Sequence, residues 1–513
     1  MYITQGLKRA IQVNANGIAT IDGDQIYTWK QFGVRVAKLA AALQQLGLCK
    51  DSRVAILSMN GSHYLETYYA VPWADGILVP LNIRLAPTEL RYMLNDGGVE
   101  YLIIDDAFRE MLPTLIAGTN SLKQILYVGT GEVPQGAIPY EEAISNASPA
   151  CDAERGGNQV AGIFYTGGTT GTPKGVMLSH DNIMSNTVSV LGYMYHGTRW
   201  IWPHTAPMFH LADCSMTPMV TIHGGTHLFI PKFDPVEVLQ MVQTYGATHC
   251  FMVPTMLAMV MNVPNFATYN LSTLKEIIYA GSPMPAAIME KAMKLLPNCR
   301  FVQAYGMTET SPCITFLENH HHWNNKNPSQ YIRSGGKPLF HVEVKIVDID
   351  GKAVDNGTVG EIITRGPHVM QGYWNKPLET ASALRNGWMY TGDAGYLDDD
   401  GFVYIVDRYK DMIITGGENV YSVEVENALY QHSAVAMCAV IGIPDELWGE
   451  TVHAIVVLKD SSAVSADELI QHCRELIAGY KCPRSIAFRH EPLPMSGAGK
   501  IMKAQIRQQY IAG

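Results

Sequence analysis

The sequence has no Cys-x-x-Cys pair, no Lys- or Arg-rich block and no apolar run of transmembrane length. Its nine cysteines are an odd number, which argues against a disulfide framework and a cysteine zinc site and suits a reducing compartment. The formal net charge of −10 argues against nucleic-acid binding. Because the N-terminus lacks the apolar core of a signal peptide and the C-terminus is no Ser-Lys-Leu-type peroxisomal address, we expect a cytoplasmic protein.

What the sequence does contain is a long alternation of helical and buried-strand patterns, from residue 28 to about residue 400. Apolar residues recur at helical spacing from Trp29 to Leu46, where Gly47 is placed to end the helix. Short apolar runs at 54–57 and 77–80 are typical of buried strands. Strands separated by helices predict an α/β fold with parallel, doubly wound sheets.

The pattern changes twice in the second half of the chain. Near residue 340 it becomes a series of alternating strands and turns, which predicts a small antiparallel, β-barrel-like part at about residues 335–408. The charged cluster 407–411 then separates two apolar strands, and a mixed α+β pattern follows to residue 513. We therefore predict a large N-terminal domain, residues 1–408, and a small C-terminal domain, residues 409–513.

The most informative segment is 165–175, which reads Tyr-Thr-Gly-Gly-Thr-Thr-Gly-Thr-Pro-Lys-Gly and follows the apolar run 160–164. Glycines let amide N–H groups crowd an anion, hydroxyls add donors, and Lys174 adds a positive charge. The segment is not a Walker P-loop, because Lys174 lies between Pro173 and Gly175 and is not followed by Ser or Thr. A flexible surface loop is the alternative, but such biased composition is rare after a buried strand. The segment predicts a phosphate-binding loop.

Two further segments carry polar side chains suited to a nucleotide. Thr308 and Glu309 follow the strand-like residues 300–302 and offer a hydroxyl for phosphate and a carboxylate for Mg²⁺. Ligands of open α/β sheets bind at that edge of the sheet. Asp393 is expected to lie just before a strand. When ionised, its carboxylate only accepts hydrogen bonds, so it can bind both ribose hydroxyls. A polar turn is the alternative for each segment, and it is the commoner explanation of a lone Thr-Gly-Asp.

Together these segments resemble the motifs of the adenylate-forming superfamily, which comprises acyl- and aryl-CoA ligases, firefly-luciferase-type enzymes and the adenylation domains of peptide synthetases. The similarity follows the family's motif order from about residue 28 to residue 503. One departure is Gly167, where the family usually has Ser, so that one hydroxyl donor is missing. Four threonines of the loop remain, namely Thr166, Thr169, Thr170 and Thr172.

The resemblance implies a binding site for ATP and Mg²⁺. Tyr305 is expected to stack on adenine, Thr308 to contact phosphate, and Glu309 to hold the metal. Asp393 and Arg408 are expected at the ribose. The residues that the resemblance places at the nucleotide are Thr166, Gly167, Gly168, Thr169, Thr170, Gly171, Lys174, Gly281, Ser282, Pro283, Ala304, Tyr305, Gly306, Thr308, Asp393, Arg408 and Lys500.

It also implies a catalytic set. Lys500, in a glycine-rich segment, corresponds to the family's lysine that neutralises charge between the substrate carboxylate and the α-phosphate. His210 corresponds to the residue that lines the passage of the acyl carbonyl and the thiol. The implied catalytic residues are Lys174, His210, Thr308, Glu309 and Lys500. Without the resemblance, a solvated surface lysine and a core or surface histidine are the commoner interpretations.

The resemblance also implies which residues contact CoA and which residue forms the hinge. Gly416, Gly417 and Glu418 belong to a segment that resembles the Gly-Gly-Glu-Asn loop beside the pantetheine tunnel of CoA ligases, where glycines permit close approach of a narrow thiol arm. A hairpin turn is the alternative. Lys410 matches the family's hinge between the two domains.

The expected activity is therefore that of an AMP-forming acid:CoA ligase. A carboxylic acid, ATP and CoA give acyl-CoA, AMP and pyrophosphate through an acyl-adenylate, and the small domain rotates about Lys410 between the two steps. The acid is expected to be a medium- or long-chain fatty acid, as in lipid metabolism, or an aromatic, hydroxycinnamate-type acid. A dicarboxylic acid is disfavoured, since no Lys or Arg stands out as its second partner.

Two alternatives stay open at this point. One is an adenylate-forming enzyme with another acceptor, such as a carrier-protein thiol or O₂. No fused carrier domain is expected, because the sequence ends soon after Lys503. The other is a catalytically inactive acyl or nucleotide sensor, which the presence of Glu309, Asp393, Arg408 and Lys500 argues against. The expected partners are the three small-molecule substrates, with a homodimer as a permitted assembly.

Overall fold

The computed structural model describes residues 1–166, 173–194, 199–324, 327–409, 411–416, 418–459, 462–496 and 501–511. Its α-helices alternate with strands through most of the chain. The helices are Thr4–Asn14, Trp29–Gln45, Ser62–Trp73, Pro87–Asp96, Leu112–Ile116, Tyr140–Asn146, His180–Met194, Leu211–Cys214, Met216–His223, Pro235–Tyr245, Pro254–Met261, Ala286–Leu295, Pro377–Ala383, Ser422–Tyr430, Ala466–Leu476 and Lys503–Ile511. Short 3₁₀ helices occupy Asp106–Met111, Phe266–Thr268, Thr308–Thr310, Asn319–His321, Gln330–Arg333 and Gly479–Lys481.

An eight-stranded sheet forms the first layer. In spatial order its strands are Gly372–Tyr373, Lys174–Ser179, Val160–Thr166, Ile77–Pro80, Arg53–Leu57, Tyr101–Asp105, Gln124–Val128 and Ile138–Pro139. The last six run parallel, whereas the first two are antiparallel to their neighbours. The predicted parallel sheet is confirmed, and it gains an antiparallel edge.

Alternate residues of one central strand show why this sheet is covered on both faces. Val54 and Ile56 pack in one apolar cluster, and Ala55 and Leu57 pack in another. All four side chains are fully buried. Because successive side chains of a strand point to opposite faces, a strand buried on both faces has to be apolar throughout.

Two further sheets lie side by side in the N-terminal part. One orders Ile201–His204, Thr226–Phe229, Ile18–Asp22 and Gln25–Thr28, and the other orders His249–Met252, Glu276–Tyr279, Arg300–Tyr305, Thr315–Leu317 and Lys337–Pro338. The N–H of Thr248 donates to the Ile201 carbonyl (2.9 Å) and joins their edges. A two-stranded ribbon pairs Trp323–Asn324 with Asn327–Pro328.

The remaining sheets are mainly antiparallel. Residues 343–408 form a sheet of Glu343–Val347, Gly360–Arg365, Trp388–Leu397 and Leu384–Arg385, with Val403–Arg408 paired to Trp388–Leu397. The C-terminal sheet orders Glu418–Val420, Ile413–Thr415, Gly449–Leu458 and Val435–Asp445, with Ser485–Arg489 parallel to Gly449–Leu458. Together with the helices that cover it, this sheet gives the expected α+β C-terminal region.

Local signals explain the accuracy of several boundaries. Thr28 accepts from the Gln31 N–H while Gln31 accepts from the Thr28 N–H, which is a capping box that starts the helix Trp29–Gln45. Gly47 follows that helix at φ +96°, a conformation that favours glycine. One expectation was wrong: Asp393 lies inside the strand Trp388–Leu397 and not before it. Across the described residues, no helix has both the length and the apolar character required to cross a bilayer.

One buried ion pair makes stability depend on pH. Glu276 is 1% exposed and lies opposite Arg300 on the next strand, with Nε 3.2 Å from Oε2. Burial raises the pKa of Glu276 to about 7, with Arg300 opposing the shift. A carboxyl whose folded-state pKa is raised contributes stability that is complete below its unfolded pKa and is lost as the pH rises through about 7.

We therefore expect Glu276→Gln, which cannot ionise, to flatten this dependence. Between pH 5 and pH 8 the parent is expected to lose on the order of 2 kcal/mol more than the variant, or about 2 °C in Tm for a chain of this length. Calorimetric Tm values at both pH values check this. The exposed Glu142→Gln is the matched control, and equal pH dependence in Glu276→Gln and parent would contradict the assignment.

Candidate functional site

The described flanks of the predicted phosphate loop, Thr166 and Lys174, lie at the carboxyl edge of the eight-stranded sheet. Strand Val160–Thr166 runs parallel to Ile77–Pro80 and ends where the loop begins, and Lys174 opens the returning antiparallel strand. The register pairs Thr166 with Lys174, so both sides of the loop leave the sheet at one point. This is the edge at which open α/β sheets bind their ligands.

The two flanks of the loop are held from outside. The Tyr165 hydroxyl donates to Asp96 Oδ2 (2.7 Å) at the end of the helix Pro87–Asp96. On the other flank the Trp374 N–H donates to the Gly175 carbonyl (2.7 Å), and Trp374 Nε1 donates to the Asp96 carbonyl (2.9 Å). Asp96 thus connects both flanks of the loop, and no local pattern in the sequence marked it.

The second nucleotide segment leaves the neighbouring sheet at the corresponding edge. Ala304 and Tyr305 end the strand Arg300–Tyr305, and Thr308 and Glu309 form a short 3₁₀ turn. At Gly306 a Cβ would lie 1.9 Å from the Pro312 carbonyl oxygen, so the turn requires glycine there. The adjacent parallel strand Glu276–Tyr279 ends just before Gly281, Ser282 and Pro283, which places these three at the same edge.

Glu309 and Lys174 both contact Tyr373, a residue that the sequence analysis did not predict for the site. The Tyr373 hydroxyl donates to Glu309 Oε1 (2.8 Å), and Lys174 Nζ lies 5.1 Å from the centroid of the Tyr373 ring. Tyr373 reaches this place because it pairs with Val176 in the sheet. Since strand pairing between distant segments is not visible in a local pattern, the sequence carried no signal for it.

The carboxyl of Glu309, the predicted metal ligand, is buried. It is 6% exposed, and burial raises its pKa, although the hydrogen bond from Tyr373 opposes that shift. Where residues are described, no group of three or more His, Cys, Asp or Glu side chains is arranged to hold a metal ion. A cation at Glu309 would need oxygens from a ligand and water as well, which suits Mg²⁺.

The predicted ribose residues are close together. Asp393 Oδ1 lies 3.1 Å from Arg408 Nε, and Asp393 Oδ2 accepts from the Tyr305 hydroxyl (2.9 Å). Thr391 donates to the Ile362 carbonyl (2.7 Å) and accepts from the Asp393 N–H (3.1 Å). Asp393 raises the pKa of Arg408, which keeps the guanidinium charged. Strand pairing of Trp388–Leu397 with Val403–Arg408 puts the two charges opposite each other.

His210 lies on a buried polar framework. It precedes the helix Leu211–Cys214, and its Nδ1 accepts from the Ala212 N–H (3.2 Å). The segment before it is held by Asn60, whose amide donates to the Ala206 carbonyl (2.9 Å) and accepts from the Met208 N–H (2.8 Å). These contacts fix the chain on which His210 is presented.

A fully buried hydrogen-bonded chain also anchors the helix that follows His210. Asp213 contacts His204 Nδ1 (2.5 Å), His204 Nε2 contacts His227 Nδ1 (3.0 Å), and His227 Nε2 contacts Thr221 (3.1 Å). Buried polar groups are costly unless they are hydrogen-bonded, so this chain specifies one position of the helix on the strands beneath it.

In the C-terminal region Gly416 lies in the turn of a hairpin that pairs Thr415 with Glu418. Gly416 has φ +60°, and a Cβ there would lie 2.7 Å from the Trp448 ring. Gly416 and Glu418 are exposed, whereas several predicted residues lie outside the described parts of the chain. These are Gly167, Gly168, Thr169, Thr170, Gly171, Thr172, Lys410, Gly417 and Lys500.

Comparison with known proteins gives two family matches. The AMP-binding enzyme family matches residues 7–374, and the AMP-binding enzyme C-terminal domain matches residues 424–500. The chain is similar to a feruloyl-CoA synthase of Amycolatopsis sp (38% identical, covering 98% of each chain). It is also similar to a long-chain-fatty-acid–CoA ligase of Bacillus subtilis (35% identical, covering 92% of this chain and 88% of the relative).

Solved structures of other proteins are similar to this chain over nearly its whole length. The amide bond synthetase McbA of Marinactinospora thermotolerans is 28% identical with a TM-score of 0.89, covering 99% of this chain and 100% of that one. ATP-bound MatB of Rhodopseudomonas palustris is 28% identical with a TM-score of 0.88, covering 99% of both chains.

The contacts of Asp393 generate a prediction for nucleotide binding. Asp393→Asn removes the negative charge that pairs with Arg408 and halves the capacity of the side chain to accept from hydroxyls. We expect AMP to bind about tenfold more weakly, the scale of one charge-assisted hydrogen bond. Calorimetric titration of AMP checks this against Asp355→Asn, an exposed control in the same sheet region. Unchanged AMP affinity in Asp393→Asn would show that the carboxylate does not contact the nucleotide.

Proposed function

Because this chain belongs to the AMP-binding enzyme family, and is by that membership an AMP-forming acid–thiol ligase, we propose that it joins an aromatic, hydroxycinnamate-type acid to CoA. The observation that supports this acid is the 38% identity, over 98% of each chain, with a feruloyl-CoA synthase. A medium- or long-chain fatty acid is the second candidate, favoured by the 35% identity with a long-chain-fatty-acid–CoA ligase.

In the first step an oxygen of the substrate carboxylate attacks the α-phosphorus of ATP. The bond from that phosphorus to the bridging oxygen breaks, so that acyl-AMP forms and pyrophosphate leaves. The amides of the loop 166–172, Thr308 and Lys174 bind the phosphates, and Lys500 stabilises the charge that develops between carboxylate and phosphate. Mg²⁺ held by Glu309 supplies further positive charge to the phosphate oxygens when bound.

A contact between distant parts of the chain supports this arrangement. Arg84 follows the strand Ile77–Pro80, the parallel neighbour of the strand that enters the phosphate loop. Its Nη1 donates to the carbonyl of Ser496 (3.1 Å), which precedes Lys500 by four positions. Ser496 is therefore held near the edge where we place ATP, which supports a role of the following segment in the adenylating step.

The second step uses the other side of the C-terminal domain. We assign residues 1–408 and 409–513 to the two domains, with the hinge at Lys410. Strand Val403–Arg408 pairs in one sheet and Ile413–Thr415 pairs in another. Ser422 Oγ donates to Asp407 Oδ2 (2.7 Å) across the proposed hinge. We expect rotation about Lys410 to break that hydrogen bond.

After the rotation, Lys500 leaves and the hairpin at Gly416 and Gly417 lines the path of CoA. The CoA sulfur attacks the acyl carbonyl carbon beside His210, the carbon–oxygen bond to phosphate breaks, and AMP leaves. One site thus performs two reactions by exchange of the faces that a mobile domain presents.

Another acceptor is the main rival for the second step, because the structurally similar McbA is an amide bond synthetase. Thioester formation with CoA alone, measured by mass, separates a CoA ligase from an enzyme that needs an amine or a carrier protein. Rapid pyrophosphate release excludes the inactive-sensor alternative. The cytoplasmic location and the homodimer stay predictions.

The identity of the substrate acid is tested by measuring AMP release with a panel of carboxylic acids at fixed concentrations of ATP and CoA. We expect ferulate and related hydroxycinnamates to exceed octanoate and palmitate in kcat/KM by at least about tenfold, because a pocket shaped for a ring loses packing with a flexible chain. The opposite order would select the second candidate. Equal rates for both classes would contradict a dedicated aromatic pocket.

The exchange of domain faces is tested by Lys500→Ala. Loss of one charge partner in the transition state is expected to lower acyl-AMP formation by about 10²-fold or more. With presynthesised acyl-AMP and CoA, the same variant is expected to make acyl-CoA at nearly the parent rate. Lys459→Ala, an exposed lysine of the same domain, is the control. Comparable loss in both half-reactions would mean that Lys500 stays at the site throughout.

A further inference from the structure

Tyr373 contacts both charged groups that the proposed adenylating site uses, and no motif assigned it a role. Its side chain is buried, at 9% exposure. The hydroxyl donates to Glu309 Oε1 (2.8 Å), and Lys174 Nζ lies over the ring, 5.1 Å from its centroid. The hydroxyl therefore orients the anion, and the negative face of the ring attracts the cation.

The position of Tyr373 is fixed on every side. Its N–H donates to Thr380 Oγ1 (2.9 Å), and its strand pairs with Val176, two residues after Lys174. At Gly372 a Cβ would lie 2.7 Å from Thr380 Cγ2, so the close approach of the helix Pro377–Ala383 requires glycine there. A side chain held in this way can impose its own position on its partners.

The hydrogen bond also leaves the charge of Glu309 in place. Tyr373 is a neutral donor and occupies Oε1, whereas an Arg or Lys partner would have neutralised the carboxylate. A cation can then be held by Oε2. Lys174, whose Nζ lies over the same ring, is the residue to which we assign the phosphates that such a cation would share.

We propose that Tyr373 is a positioning residue that fixes Glu309 and Lys174 relative to each other and so sets the affinity of the site for the divalent cation that accompanies ATP. The inference rests on the proposed roles of Glu309 and Lys174 in ATP binding. In this inference, the hydrogen bond from the Tyr373 hydroxyl to Glu309 determines the affinity for the cation, and the size of the ring does not.

The test uses Tyr373→Phe, which keeps the ring beneath Lys174 and removes the hydroxyl. Mn²⁺ binding is measured by electron paramagnetic resonance in the presence of an ATP analogue with a non-hydrolysable α,β-bridge. We expect the Kd for Mn²⁺ to rise about tenfold, the scale of one hydrogen bond to a charged group. The KM for the acid, and acyl-CoA formation from presynthesised acyl-AMP, are expected to stay unchanged.

Two comparisons separate positioning from a general structural effect. Tyr396→Phe, which removes a hydroxyl from a partly buried tyrosine elsewhere, is expected to leave Mn²⁺ binding at the parent value. In a Glu309→Gln background, Tyr373→Phe is expected to add no further loss, because the two residues act through one contact. Additive losses, or an unchanged Kd in the single variant, would overturn the inference.

The outcomes also distinguish this inference from the proposed function. Acyl-CoA synthesis by the parent, together with parent-like Mn²⁺ binding in Tyr373→Phe, would refute the inference and leave the function. Weakened Mn²⁺ binding in the variant, together with a parent that adenylates no acid, would support the inference and refute the function. If Tyr373→Phe does not fold, Thr380→Val removes the acceptor of the Tyr373 N–H and so loosens the position of the Tyr373 hydroxyl. The Kd for Mn²⁺ is then expected to rise as well, and an unchanged Kd would overturn the inference.

Discussion

The pairing of Gly372–Tyr373 with Lys174–Ser179 is the interaction on which the predicted site depends. Around this pair, the Gln371 N–H donates to the Met177 carbonyl (3.0 Å), and the Met370 N–H donates to the Glu309 carbonyl (2.8 Å). One short segment therefore contacts the flank of the phosphate loop and the turn that carries Glu309. Together with the amide of Asn186, which donates to the Cys313 carbonyl (2.8 Å), this segment holds the turn of Glu309 next to the edge of the eight-stranded sheet.

The two buried carboxylates of the predicted site, Asp393 and Glu309, have different partners, which suits them to different ligands. Asp393 is paired with Arg408, so its charge is compensated and its oxygens suit neutral hydroxyl donors. Glu309 has a tyrosine donor, and its burial raises its pKa. A buried carboxylate with a neutral partner is costly to ionise, and a divalent cation offsets that cost. Tyrosines hold both groups in place without removing their charge.

Much of the fold was predictable because its signals are local. The helix Trp29–Gln45 follows from apolar spacing, a capping box and Gly47. The strand Ile77–Pro80 follows from a short apolar run. The prediction that Asp393 lies before a strand was wrong, because Thr, Gly and Asp are typical of turns. Its strand is decided by pairing with Val403–Arg408, a contact between segments that no local pattern contains.

The predicted site was recognisable in the sequence from its residue types: a Gly/Thr loop with Lys174, a carboxylate at Glu309, and an Asp–Arg pair at 393 and 408, in an order that resembles one superfamily. Those residue types act through intrinsic properties, such as backbone access, charge and hydrogen-bonding capacity, which need no neighbours to be recognised. The contacts of Tyr373 with Glu309 and Lys174, and of Asp96 with the flanks of the loop, became visible in the folded chain alone. Their roles arise from sheet register and helix packing, and these join residues far apart in the chain.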